Sequence, residues 1–301
     1  MIDNCLIDSL VDELISKNSE IFRKYALPDV ISYLDTIPEC ESYCYINSHV
    51  IETWEDINDN YGEACFEAFQ QVTMLTLMRN YEKRSLRKEY TDDIISRFEI
   101  TYARIIKSIK DPSFQCYRTN NDILLKDLAL CRQKVFPAGA QIVEPLSSFH
   151  RSILYRGGIH QSFDVIKLLF ESGGNRPWYQ IHTHLSELDE FNPDGWNRTY
   201  VRIAKMLEKH VEIKGMFGGS WFYDPALESI SPRLAYLRLI PQENGAHVFY
   251  SNDDLDGGAL STSPTRRSLF EKGEYLPKSY SLIWPREAMI DWAKHYKIEK
   301  I

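Results

Sequence analysis

Two histidines two positions apart, in Trp178-Tyr-Gln-Ile-His182-Thr-His184, are the sharpest chemical feature of the chain. If this run is a strand, Trp178, Gln180, His182 and His184 point one way and Tyr179, Ile181 and Thr183 the other. Two imidazoles on one strand face can converge on a divalent metal such as Zn or Fe. Glu187 and Asp189 follow closely and would complete a site of two histidines and a carboxylate. Such a centre activates water or binds oxygen. The same histidines serve equally as catalytic acid–base groups, or as structural residues bonded to neighbours beside a solvated acidic loop.

A second feature is Asn192-Pro-Asp-Gly-Trp-Asn197, a turn that opens a helix after a strand. A helix start presents unpaired backbone N–H groups suited to phosphate or carboxylate. Asp194, Gly195, Trp196 and Asn197 are therefore candidate cofactor contacts, although Asp194 could equally be a simple cap. The third feature runs from Lys214 to Pro225. Its glycines and serine at Gly218, Gly219 and Ser220 suggest backbone that a ligand approaches closely. Read as a strand, it sets Trp221 and Tyr223 on one face and Ser220, Phe222 and Asp224 on the other. Tyr223 and Asp224 are candidate catalytic groups. Trp178, Tyr200, Trp221 and Arg233 are candidate substrate contacts in an aromatic pocket. Ser220 has no G-x-S-x-G elbow around it, which argues against a hydrolase nucleophile. Arg266-Arg267 could grip a substrate carboxylate or phosphate.

These features need elements to position them, and the chain divides into two unlike parts. The cysteines all fall at or before Cys131, while five of the six tryptophans fall at or after Trp178. From 1 to 124 the apolar spacing is helical: Leu6, Leu10, Val11, Leu14 and Ile15 behind Asp3 or Asn4, then 61–81, then 92–109 up to Asp111-Pro112. From 125 to 301 the pattern alternates. Asp127–Phe136 and Ala140–Leu146 read as strands, and 160–170 as a helix closed by Gly173-Gly174. Trp178–His184 is strand-like, 196–209 helical, 211–224 strand-like, 246–250 and 279–284 strands, and Pro285 opens a last helix. The expected fold is α+β or α/β: a helical N-terminal part, then a mixed sheet with flanking helices.

The 301 residues are 44% hydrophobic, enough for a sizeable core, and 35 basic against 43 acidic residues give a net charge of −8. That balance argues against polyanionic partners, so neither nucleic acid nor a membrane is expected. The basic cluster of Arg79, Lys83, Arg84, Arg87 and Lys88 reads as a helix end. The start lacks a basic n-region and no long uncharged apolar run occurs, which makes a cytoplasmic location the expectation. Scattered cysteines fit unpaired thiols.

The order of strand, polar turn, helix, strand, helix, strand across Trp178–Tyr250 resembles the core of the GNAT-type N-acyltransferases. In that family the diphosphate of acyl-CoA rests on the turn before the first of those helices, here the Asn192 turn. Its acyl-CoA cleft requires the strand near Ser220 to part from its neighbour. The family's Arg/Gln-x-x-Gly-x-Gly/Ala motif is absent, with Trp196 and Arg198 where small residues are expected. The resemblance implies acyl-CoA as cofactor and Tyr236 or Tyr250 as proton donor to the leaving thiolate. Three functional classes follow. The first is an acyl-CoA-dependent enzyme acting on a small-molecule substrate. The second is a metal-dependent hydrolase or non-haem iron enzyme using His182 and His184. The third is a non-catalytic binding protein.

Overall fold

The computed structural model describes residues 3–35, 42–81, 89–111, 117, 121–255 and 257–296. The chain forms two compact units, one of residues 1–138 with Thr183–Leu188, the other of 139–182 with 189–301. The boundary therefore falls after Ala138 rather than after residue 124, and a short segment from the second half belongs to the first unit.

Helices build the first unit: α1 Asn4–Lys17, α2 Ser19–Lys24, α3 Leu27–Asp35, α4 Ser48–Tyr61, α5 Glu63–Arg79, α6 Asp92–Lys110 and α7 Asp122–Cys131. A two-residue strand, β1 Phe136–Pro137, follows. Asp3 starts α1 by accepting from the Leu6 N–H at 3.1 Å. The organising element is α5. It packs against each of the other six helices, and its buried residues (Phe66, Phe69, Val72, Met74, Leu75, Leu77 and Met78 among them) encircle it. A helix apolar all round belongs in the interior, and this one is the centre of the layer. Around it α6 is amphipathic, burying Ile94, Phe98, Tyr102 and Ile105. Asp92 and Asp93 stand in its first turn and Lys107 and Lys110 in its last, as the helix dipole favours.

One strand reading is corrected here. The first half of Asp127–Phe136, up to Cys131, is helix and only Phe136 is strand, because Asn121 caps the start of α7 by accepting from the Ile123 N–H at 2.9 Å. A short apolar run is compatible with either element, and the cap decides it. Cys5, Cys44, Cys65 and Cys131 are free thiols. Of the basic cluster, Lys83, Arg84, Arg87 and Lys88 lie outside the described residues.

The second unit is a mixed sheet with helices on both faces. Its strands are β2 Gln141–Ser147, β3 Trp178–Thr183, β4 Gly215–Ser220, β5 His247–Asp253 and β6 Lys278–Pro285, side by side in the order β2-β3-β4-β6-β5. Its helices are α8 Ile153–Arg156, α9 Gly158–Glu171, α10 Pro193–Lys209, α11 Leu227–Ile230, α12 Tyr236–Glu243, α13 Gly258–Ser261, α14 Pro264–Glu271 and α15 Arg286–His295. Helix α10 crosses between parallel β3 and β4, and β6 inserts antiparallel between β4 and β5. Neighbouring residues on a strand face opposite sides, and this sorts the core. Trp178, Phe217, Phe249 and Ile283 pack with Val165 and Leu168 of α9. On the other face Trp284 meets Tyr200 of α10 and Trp292 of α15 at ring separations of 5.3 and 5.2 Å. The expected mixed sheet with flanking helices is the observed one. The run 211–224 is strand only at Gly215–Ser220. Ser220 Oγ accepts from the Phe222 N–H at 3.1 Å and begins a 3₁₀ turn over Trp221–Tyr223. Among the described residues no helix is long and apolar enough to cross a membrane.

Candidate functional site

The parallel register between β3 and β4 is short. Their parallel pairing covers Tyr179 with Met216 and Gln180 with Phe217 and stops there, although β3 continues to Thr183 and β4 to Ser220. Over the same stretch β4 stays paired with β6 at every position from Gly215 to Ser220. Ile181 and His182 on one side and Gly218 and Gly219 on the other thus border a parting in an otherwise continuous ladder. The backbone of Gly218 and Gly219 lies beyond the register shared by the two strands.

Side chains reach the parting from both faces. His182 lies on the α9 face and bonds the nearly buried Glu144 carboxylate of β2 through Nε2 at 3.1 Å. On the α10 face a Cβ at Gly218 would stand 2.7 Å from Ile181 Cγ1 and 3.0 Å from the Tyr223 hydroxyl, so only glycine lets these groups close on the strand. Tyr223 is buried and makes no hydrogen bond among the described residues. Burial pushes its phenol well above the ordinary value. Tyr200 is raised in the same way, first by burial and then by Tyr223 and Tyr236, which places the three phenols within electrostatic reach of one another. Burial pushes half-buried Tyr236 up to about 12.

The start of α10 is built differently from the expectation. Asn192, not Asp194, is the cap, and its Oδ1 accepts from the Gly195 N–H at 3.0 Å. Pro193 has no N–H to offer, and Asp194 is exposed in the first turn. A Cβ at Gly195 would stand 2.1 Å from the Glu190 carbonyl oxygen, so glycine is required by packing rather than by a ligand. Trp196 and Asn197 are buried. Three atoms here, Trp196 Nε1, Asn197 Oδ1 and the Tyr200 hydroxyl, are buried without a hydrogen-bond partner among the described residues.

His184 and Glu187 belong to a network in the first unit. His184 Nε2 bonds Asp127 Oδ1 at 2.9 Å, while its Nδ1 accepts from the Ser186 N–H at 3.1 Å. With Nδ1 accepting, Nε2 is the nitrogen that donates to Asp127. Arg104 grips Asp127 bidentately at 2.6 and 2.8 Å, and the Tyr117 hydroxyl donates to it at 3.0 Å. Burial raises the Asp127 carboxyl, but the hydrogen bonds and charges of Arg104 and His184 outweigh it and hold it at about 2. Glu187 pairs with Arg97 at 3.2 Å and Arg104 at 3.3 Å. Lys126 Nζ donates to the Thr183 carbonyl at 2.6 Å. This is a strap that ties residues 183–188 down, not a solvated acidic loop. Both nitrogens of His184 are occupied, Glu187 is neutralised by arginines and Asp189 is exposed. Among the described residues no group of three or more His, Cys, Asp or Glu side chains is placed to hold a metal ion.

The remaining candidates are mostly structural. Trp178 is core and donates Nε1–H to the Gly174 carbonyl at 3.2 Å. Trp221 anchors a small cluster with Leu227 and Ala259, and the Arg266 guanidinium lies over its ring at 4.3 Å. Arg266 also bonds the Ala259 carbonyl at 2.6 Å and is buried, so it grips the chain rather than a ligand. Asp224 is buried and accepts from Ala226 N–H, Lys278 N–H and the Tyr275 hydroxyl at 3.0 to 3.3 Å. Gly219 and Arg233 are exposed, and Tyr250 bonds Asp253 at 2.9 Å. Sequence reasoning missed Glu144, Asp127, Arg104 and Tyr117. Only charges set among apolar residues, Glu144 in Gln141–Ser147 and the Lys126-Asp127 pair in α7, signalled them. Comparison of the chain with protein families, curated proteins and solved structures finds no match.

Proposed function

We propose that the chain is a small-molecule group-transfer enzyme of the acyl-CoA-dependent N-acyltransferase type, with the acyl thioester in the opening between β3 and β4. The observation that carries this reading is the end of the parallel pairing at Gln180 and Phe217 while both strands run on. An extended thioester arm laid along Gly218 and Gly219 pairs with β4 backbone beyond Phe217. His182, held by Glu144, accepts the proton lost by the attacking amine, and the carboxylate steadies the imidazolium. As the new C–N bond forms, charge develops on the carbonyl oxygen beside the parted backbone edges. The C–S bond then breaks, and Tyr223, whose hydroxyl lies against Gly218, gives its proton to the leaving thiolate. Burial keeps that phenol protonated until it is needed.

The start of α10 is a poor seat for a diphosphate, since Pro193 lacks an N–H, Asn192 occupies that of Gly195 and Asp194 is acidic. The reading therefore rests on the thioester end of the donor. The test is thermal unfolding with acetyl-CoA and, separately, acetyl-pantetheine, followed by thiol release in the presence of small amines. A ligand at one hundred times its Kd adds about 2.7 kcal/mol of stability, well within detection. No shift with either thioester sinks the proposal.

A further inference from the structure

Five large apolar side chains, Tyr155, Ile159, Phe163, Ile166 and Phe170, are between 55% and 89% exposed. The last four lie in α9 at spacings of four, three and four residues, which is a single seam along the helix. The opposite side of α9 is spent on Val165 and Leu168 against the sheet, so the seam faces outward. With aromatic side chains carrying about 200 Å² each, the seam and Tyr155 present roughly 600 Å² of apolar surface. Two such faces bury about 1,200 Å², the lower bound for a specific interface. The adjacent edge strand β5 is capped at its middle. The Gln161 amide takes both the Tyr250 N–H, at 2.8 Å, and the Tyr250 carbonyl, at 2.9 Å. The helix face remains.

We propose that this face docks on a second copy of the chain, with the two α9 helices antiparallel about a two-fold axis near Asp164 and Val165. In that arrangement Phe163 meets the partner's Ile166 and Ile159 meets the partner's Phe170. The exposed charges beside the seam decide the direction. Antiparallel pairing brings Lys167 toward the partner's Asp164 and His160 toward the partner's Glu171, and it opposes the helix dipoles. Parallel pairing sets Lys167 against the partner's Lys167 and Glu171 against the partner's Glu171. A membrane surface is the weaker occupant, because the seam lacks a basic flank and the chain carries a net charge of −8.

The experiment is sedimentation velocity on the full chain from about 1 to 100 μM, a range that brackets a micromolar Kd. Wild type is expected at twice the chain mass at the upper end. Phe163→Asp with Phe170→Asp is expected to be monomeric throughout with an unchanged Tm. Phe163→Gln with Phe170→Gln, a milder pair, weakens association at least tenfold. Lys167→Glu weakens it about tenfold, or 1.4 kcal/mol, and adding Asp164→Lys restores it. A wild type that stays monomeric at the upper concentration overturns the proposal, as does a dimer indifferent to both Phe163 and Phe170 pairs. A charge-reversed double variant weaker than Lys167→Glu alone overturns the antiparallel arrangement.

Discussion

His184 gives its Nε2–H to the Asp127 carboxylate at 2.9 Å, and both side chains are fully enclosed. The pair joins the segment 183–188 to helix α7, whose Asp127 also holds Arg104 and Tyr117. A buried charge cluster of this kind is costly to break from one side.

Asp127→Ala is therefore expected to destabilise the protein by about 3–5 kcal/mol, because Arg104 is left with reduced compensation in a dry environment. His184→Ala costs less, since it removes one hydrogen-bond donor and its packing while Arg104 and Asp127 stay paired. Urea unfolding of both single variants and the double variant gives the coupling between them. A loss under about 1 kcal/mol for Asp127→Ala contradicts the network's role.

The same carboxyl makes stability depend on acid. Its folded value of about 2 lies below the ordinary 3.8, so its contribution is present above about pH 4. It disappears as pH falls through 2. The shift corresponds to about 2 kcal/mol. Unfolding free energies measured between pH 5 and pH 2 should fall more for wild type than for Asp127→Asn, and parallel curves exclude the assignment.

Gly218→Ala tests the parting between β3 and β4. The added methyl stands 2.7 Å from Ile181 Cγ1 and 3.0 Å from the Tyr223 hydroxyl, so a side chain must shift. The expected cost is about 1–3 kcal/mol, with weaker thioester binding seen as a smaller ligand-induced thermal shift. An unchanged shift places the ligand elsewhere.

On the proposed mechanism Tyr223→Phe lowers kcat about 10²- to 10⁴-fold with KM little changed. Tyr236→Phe has a smaller effect, its hydroxyl being further from Gly218. Steady-state kinetics on the two variants separates them, and equal losses or a reversed order removes Tyr223 from the proton-donor role.

Asn192→Ala is expected to cost about 1 kcal/mol through loss of the α10 cap, and Asn192→Gly only a few tenths. Chemical denaturation decides. A cost near zero for the alanine variant means that the Gly195 N–H finds another acceptor.

Much of this was readable from residue order. Helical spacing marked α1, α5 and α6, and Gly173-Gly174 marked the end of α9, because local chemistry decides where a helix begins and stops. The alternation from Trp178 onward announced a mixed sheet. His182 and Tyr223 were named as reactive groups from their types and neighbours alone, and both border the parting. The Asp127–Phe136 run was misread because its apolar residues suit a strand or a buried helix equally. Trp178, Tyr200 and Trp221 suggested a pocket by composition, yet each is packed as core or anchor, since a large ring fills interior space wherever it is enclosed.

Residue types and their periodicity thus determined most of the helices and strands, and which side chains are candidates for chemistry. Partners across long separations were settled only in three dimensions. His182 and His184 look like a pair on one strand, yet one bonds Glu144 and the other Asp127, each from a different element. The register that pairs β3 with β4 at Gln180 and Phe217, and the apolar face that α9 leaves exposed, belong to the same class. Periodicity specifies what an element buries, whereas the neighbour it buries against depends on how the whole chain closes.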